Sequence, residues 1–115
     1  MAKRSRQDDI DPAKSVRDEF YPKGRKRGVV VRIQVDYSRA GQLLRYSLSL
    51  IDARSTSIDN GRILGYDNAH GHNHRHSLGH VESLEFESYE QIEKRFETEV
   101  REYLKEEAGF ASCDK

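Results

Sequence analysis

VVVRIQVDYSRAGQLLRYSLSLID, Val29 to Asp52, decides the fold. In its first nine residues Val31, Ile33, Val35 and Tyr37 alternate with Val30, Arg32, Gln34 and Asp36, the period of a half-buried strand. In LLRYSLSLID, Leu44, Tyr46, Leu48 and Leu50 alternate with Arg45, Ser47 and Ser49 in the same way. Ser38 to Gln42, with Ala40-Gly41 at its centre, is a connection of hairpin length. The two segments are therefore expected to pair antiparallel, presenting one apolar face and one polar face.

Working outward toward the C-terminus, Arg54 to Gly61 is a polar loop that ends in Asp59-Asn60-Gly61, and RILGYDN, Arg62 to Asn68, is a third strand. Ile63 and Leu64 are both apolar, so the alternation does not decide which face takes Tyr66 and which takes Asp67. After a histidine-rich loop, HVESLEFE, His80 to Glu87, reads as a fourth strand. Ser88 with Gln91 three residues on is a capping-box start for a helix reaching Ala108. Ile92, Phe96, Val100, Tyr103 and Leu104 draw one apolar stripe along that helix, and Gly109 is placed to end it. The expected class is α+β, a four-stranded, mainly antiparallel β-meander with a C-terminal amphipathic helix packed on one face.

Toward the N-terminus the pattern weakens. Residues 1 to 27 read as a flexible basic arm, with one short helix after Asp11-Pro12 on which Ala13, Val16 and Phe20 share a side. Within it PKGRKRG, Pro22 to Gly28, reads as a linker whose Lys23, Arg25, Lys26 and Arg27 are candidates for holding phosphates. The domain proper spans 28–109, and 110–115 is a short tail.

Composition sets the outer limits. The chain has 115 residues, of which 35% are hydrophobic and 35% charged, so one small core is expected and not two. The longest aliphatic run, Val29 to Val31, falls far short of the roughly 18 apolar residues of a membrane helix, and the N-terminus has no hydrophobic signal region. A soluble cytoplasmic protein is expected. One cysteine, Cys113, excludes an internal disulfide and a cysteine-built zinc site. The net charge of zero conceals an asymmetry: residues 1–27 carry nine basic and five acidic side chains, whereas 82–107 carry four and ten. Two partners of opposite charge character would suit such a chain.

The chemistry concentrates in YDNAHGHNHRH, Tyr66 to His76, with His80 beyond; all five histidines lie in this stretch of the chain. Imidazole exchanges protons near neutral pH and is also a common metal ligand. Alternate residues of an extended segment share a face about 6.5 to 7 Å apart, so His70 and His72 are candidates for a divalent transition metal. Acid-base catalysis asks for less. Metal-free RNA cleavage needs a base for the 2′-hydroxyl, an acid for the leaving oxygen and a cation for the charge developing on phosphorus oxygens. His74, His76 and Arg75 supply those types, Arg62 adds a second cation, and Tyr66, Asp67 and Asn68 are placed to orient them. The plain alternative is that the imidazoles are solvated, Tyr66 is core and Asp67-Asn68 only starts a turn. No glycine-rich phosphate loop, Gly-x-Ser-x-Gly elbow or His-Glu-x-x-His helix is present, which excludes kinases, serine hydrolases and zinc proteases.

From about Val29 to Leu104 the chain resembles the TumE family of toxins from bacterial toxin-antitoxin systems. The resemblance rests on YSLSLID, on RILGYDN, on Tyr66-Asp67-Asn68 followed by Gly71 and His74-Arg75-His76, and on the terminal amphipathic helix. His72 and Asn73 stand where many relatives have Lys and Asp, so the resemblance lends His70 and His72 no role. It implies a toxin paired with an antitoxin that carries a helix-turn-helix DNA-binding domain. Taken with the residues, the expectation is a toxin acting on RNA as a metal-independent endoribonuclease. The competing class is a non-enzymatic binding module with a histidine-rich metal loop.

Overall fold

The computed structural model describes residues 12–20 and 29–107. The basic run Lys23, Arg25, Lys26 and Arg27, the expected helix stop at Gly109 and the tail with Cys113 lie outside the described residues. Six strands run in the order β1 (Lys14–Phe20), β2 (Val29–Tyr37), β3 (Leu43–Asp52), β4 (Arg62–Asp67), β5 (His74–Ser77) and β6 (His80–Ser83), followed by helix α1 (Tyr89–Glu107). They form one antiparallel meander in which each strand pairs with its chain neighbour.

The β2–β3 hairpin is as expected, with Val31 opposite Leu50, Ile33 opposite Leu48 and Val35 opposite Tyr46. Its turn is closed by Ser38, whose Oγ accepts from the amides of Ala40 at 3.2 Å and Gln42 at 3.1 Å, while Gly41 takes φ 90°, the left-handed region that glycine enters without steric cost. The apolar face of the sheet carries Val29, Val31, Val35, Tyr46, Leu48, Leu50, Leu64 and Tyr66, all buried, and Ile92 and Phe96 of α1 cover it. Val100, Tyr103 and Leu104 extend that cover as the stripe predicts. Gln91 N donates to Ser88 Oγ at 3.2 Å, so Ser88 caps the helix.

Two of the six strands were not expected, and the sheet is therefore not four-stranded. The short helix expected after Asp11-Pro12 does not form: Lys14–Phe20 pairs along β2 as β1. Local helix signals are weak there, and pairing gives the free edge of β2 a full ladder of backbone hydrogen bonds. Cross-strand ion pairs accompany the ladder: Arg32 Nε donates to Glu19 Oε2 at 2.7 Å and Arg17 Nη1 to Asp36 Oδ1 at 3.3 Å. The other addition is β5, expected as loop. The chain reverses at Leu78-Gly79, both at positive φ, and pairs β5 with β6; the expected strand His80–Glu87 shortens to His80–Ser83 because Ser83 lies opposite His74, where its partner β5 begins.

Two buried carboxylates clamp the sheet. Asp36 sits between Arg17 and Arg45, whose Nε lies 3.2 Å from Asp36 Oδ2, on the polar face. Asp52, wholly buried on the other face, accepts from Tyr103 Oη at 2.8 Å, Ser55 Oγ at 2.9 Å and the amide of Arg54 at 3.2 Å, which ties α1 to the end of β3. Burial alone would raise both pKa values, but these hydrogen bonds and the neighbouring guanidinium groups hold them below the usual 3.8. The stability they contribute is present above that value and is lost as pH falls through their lowered folded-state values. The melting temperature should accordingly fall below about pH 4. Asp52→Asn, read by urea denaturation, should cost about 1–3 kcal/mol at neutral pH and blunt the acid sensitivity.

Candidate acid-base site on the open face of the sheet

Only one face of the sheet is covered by α1. On the open face, β4 contributes Asp67 and β5 contributes His74 and His76; Asp67 pairs with His74, and Gly65 with His76, in the strand register. His76 Nε2 lies 2.8 Å from Asp67 Oδ2, a close contact whose angle falls short of a hydrogen bond. His74 Nδ1 is 3.8 Å from Asp67 Oδ1. The two imidazole centroids are 6.1 Å apart, and that of His72 lies another 6.1 Å along. Asp67 Oδ1 is itself held by the amide of Ala69 at 3.0 Å. The side chains of Asp67, His74 and His76 are half-buried, so they form a shallow fixed cluster.

Arg62 completes the group. A bulge in the β3–β4 register brings it beside the open face, where Nε bonds Asp59 Oδ2 at 2.8 Å and Nη1 stands 4.0 Å from Asp67 Oδ2. Its guanidinium lies over Gly65, where a Cβ would fall 2.9 Å from both Cδ and Nη1. Any side chain at 65 would therefore displace the cation; a glycine inside a strand was the sequence signal for this close approach.

The other predicted site residues are elsewhere. Arg75 and Tyr66 face α1: Arg75 Nη2 donates to Glu99 Oε2 at 2.7 Å, Arg75 Nε to Tyr66 Oη at 3.2 Å, and Tyr66 Oη to Glu99 Oε1 at 2.5 Å. Burial first, and the bond to Glu99 second, push the Tyr66 hydroxyl up to about 12, while the bonds to Glu99 make Arg75 still harder to deprotonate. Asn68 caps the rim of β3 instead, its Oδ1 accepting from Tyr46 N at 3.0 Å and its Nδ2 donating to Leu44 O at 3.1 Å. His70, at φ 61°, and His72 are exposed. Among the described residues no group of three or more His, Cys, Asp and Glu side chains gathers as a metal site would.

A family model described as Toxin TumE matches residues 2–104. The chain belongs to the TumE toxin family. No curated protein and no solved structure matches it. As a TumE toxin it is one component of a toxin-antitoxin module, with an antitoxin as partner. Among the described residues no helix is long and apolar enough to cross a membrane. In this TumE chain the His-Arg-His segment serves both faces: its histidines join Asp67, and its arginine pins β5 to α1 through Glu99. Glu99 is the residue that sequence reading missed as a site support, because a glutamate in an acidic helix looks like solvated surface.

Arg75→Ala leaves the Glu99 carboxylate and Tyr66 hydroxyl without their shared partner. It should lower stability by about 1–3 kcal/mol in urea, with Arg75→Lys recovering only part because an ammonium cannot reproduce the fork.

Proposed function

We propose that this toxin cleaves RNA without a metal ion, in the cytoplasm, using His74, His76, Asp67 and Arg62 on the open face. The observation that supports this most is the convergence of both imidazoles on one carboxylate beside a guanidinium, on a face where Arg17, Arg32 and Arg45 are more than half exposed. His76 removes the proton of a 2′-hydroxyl at the ring nitrogen turned away from Asp67. The resulting imidazolium is stabilised by the adjacent carboxylate. The 2′-oxygen attacks phosphorus, Arg62 balances charge on the non-bridging oxygens, and the bond to the 5′-oxygen breaks as His74 protonates it. The products are a 2′,3′-cyclic phosphate and a 5′-hydroxyl. Arg75 and Tyr66 act as positioning residues that hold β5 in register, and Asn68 holds the rim; Lys23, Arg25, Lys26 and Arg27 add phosphate contacts along the substrate.

The antitoxin, carrying a helix-turn-helix domain, docks on the exposed side of α1, where Glu90, Glu93 and Glu97 follow one another at helical spacing. Burial first, then the charges of Glu97 and Glu90, raise the pKa of Glu93, so its ionised form is held at a cost that a basic partner relieves. Glu93→Lys and Glu97→Lys should slow association measured by stopped flow at low salt, and an association rate indifferent to these changes and to salt would remove the docking proposal.

His74→Ala and His76→Ala should each lower RNA cleavage by about 10²–10⁴-fold and relieve growth inhibition, with little change in melting temperature. His70→Ala and His72→Ala should cost far less. The rate should depend on pH in a bell, as a general acid and a general base together require, and EDTA should leave it unchanged. Purified protein that cuts no RNA, or cleavage that EDTA stops, overturns the mechanism.

A further inference from the structure

The two ends of the β4–β5 loop carry a feature that the acid-base cluster does not use. Asn68 and Asn73 are the immediate chain neighbours of Asp67 and His74, and on the α1 side of the sheet they border a cleft of about 390 Å³. Tyr37, Phe86, Tyr89 and Glu90 form much of the rest of its wall. Phe86 is 41% exposed and stacks on Tyr46 with ring centroids 6.4 Å apart.

The polar groups here have unused capacity. The Tyr89 hydroxyl is buried and has no hydrogen-bond partner among the described residues. Burial first, then the charges of Glu93, Tyr37, Glu97 and Glu90, raise its pKa, so it remains a donor. Asn73 Oδ1 is taken by Tyr46 Oη at 2.7 Å, which leaves the amide nitrogen as the group available to a ligand. Glu90, exposed at the mouth, can only accept when ionised.

We propose that this cleft is a nucleobase subsite that takes a guanine. Flat aromatic walls with a few hydrogen-bonding groups suit an unstacked base, the form in which single-stranded RNA is read. The Asn73 amide nitrogen is a donor for the O6 acceptor of guanine, and the Glu90 carboxylate matches its N1–H and amino donors. The inference rests on the RNA reading, and its test separates the two.

The His76→Ala protein, which the proposed mechanism makes inactive, is titrated by calorimetry with the 3′-monophosphates of guanosine, adenosine, cytidine and uridine. Guanosine monophosphate should bind at least tenfold more tightly than the others. In the same background Phe86→Ala should weaken all four, whereas Glu90→Gln should erase the preference for guanine alone. Glu90 is exposed and makes no contact in the core, so its substitution keeps the reading independent of folding. Equal binding of the four nucleotides, or a preference untouched by Glu90→Gln, overturns the subsite even if RNA is cleaved. Selective, Glu90-dependent binding in a protein that cleaves no RNA upholds the subsite while the ribonuclease reading fails.

Discussion

A β-strand sends successive side chains to opposite faces, and here one face is sealed by a helix while the other is open. Everything distinctive about His74-Arg75-His76 follows from that constraint. Adjacent in sequence, the three side chains cannot work on the same surface once the segment pairs with β4. The histidines turn to Asp67, and the arginine turns inward to Glu99 and Tyr66. The inward contact fixes the strand that aims the outward pair, so the ion pair on one face supports the geometry of the cluster on the other.

The same two-sidedness organises the charge. Acidic residues outnumber basic ones on α1, whereas on the open face Arg17, Arg32, Arg45 and Arg62 are each paired with a carboxylate. The carboxylates that do enter the sheet, Asp36 and Asp52, are surrounded by donors and cations that more than offset the cost of burying them. For Glu93, by contrast, burial and then the charges of Glu97 and Glu90 raise the pKa.

Legibility varied with the source of the signal. The β2–β3 hairpin and the apolar stripe of α1 were plain because alternation and helical spacing record burial directly. β1 and β5 were not. Lys14–Phe20 becomes a strand because the edge of β2 is there to receive it, and His74–Ser77 has polar groups on both faces, so no alternation marks it. Within the candidate site, the histidines and Asp67 were recognisable as residue types with complementary chemistry. That Tyr66 belongs to the core side and Arg75 to an ion pair was hidden by the adjacent Ile63 and Leu64, which blur the face assignment of β4.

By itself the sequence determined a small α+β domain, an antiparallel core hairpin, a capped C-terminal helix, the segment in which the chemistry is concentrated and a resemblance to the TumE toxins. These depend on neighbours a few residues apart, whose spacing is written in the chain. Tertiary structure alone decided the number of strands, the face each site residue occupies, the placement of Arg62 over Gly65 and the partnership of Arg75 with Glu99. Those outcomes depend on contacts between segments far apart in the chain, 24 residues for the bond from Arg75 to Glu99 and 33 for that from Tyr66 to Glu99. Hydrogen bonding between strands sets their register, and register determines which side chains meet.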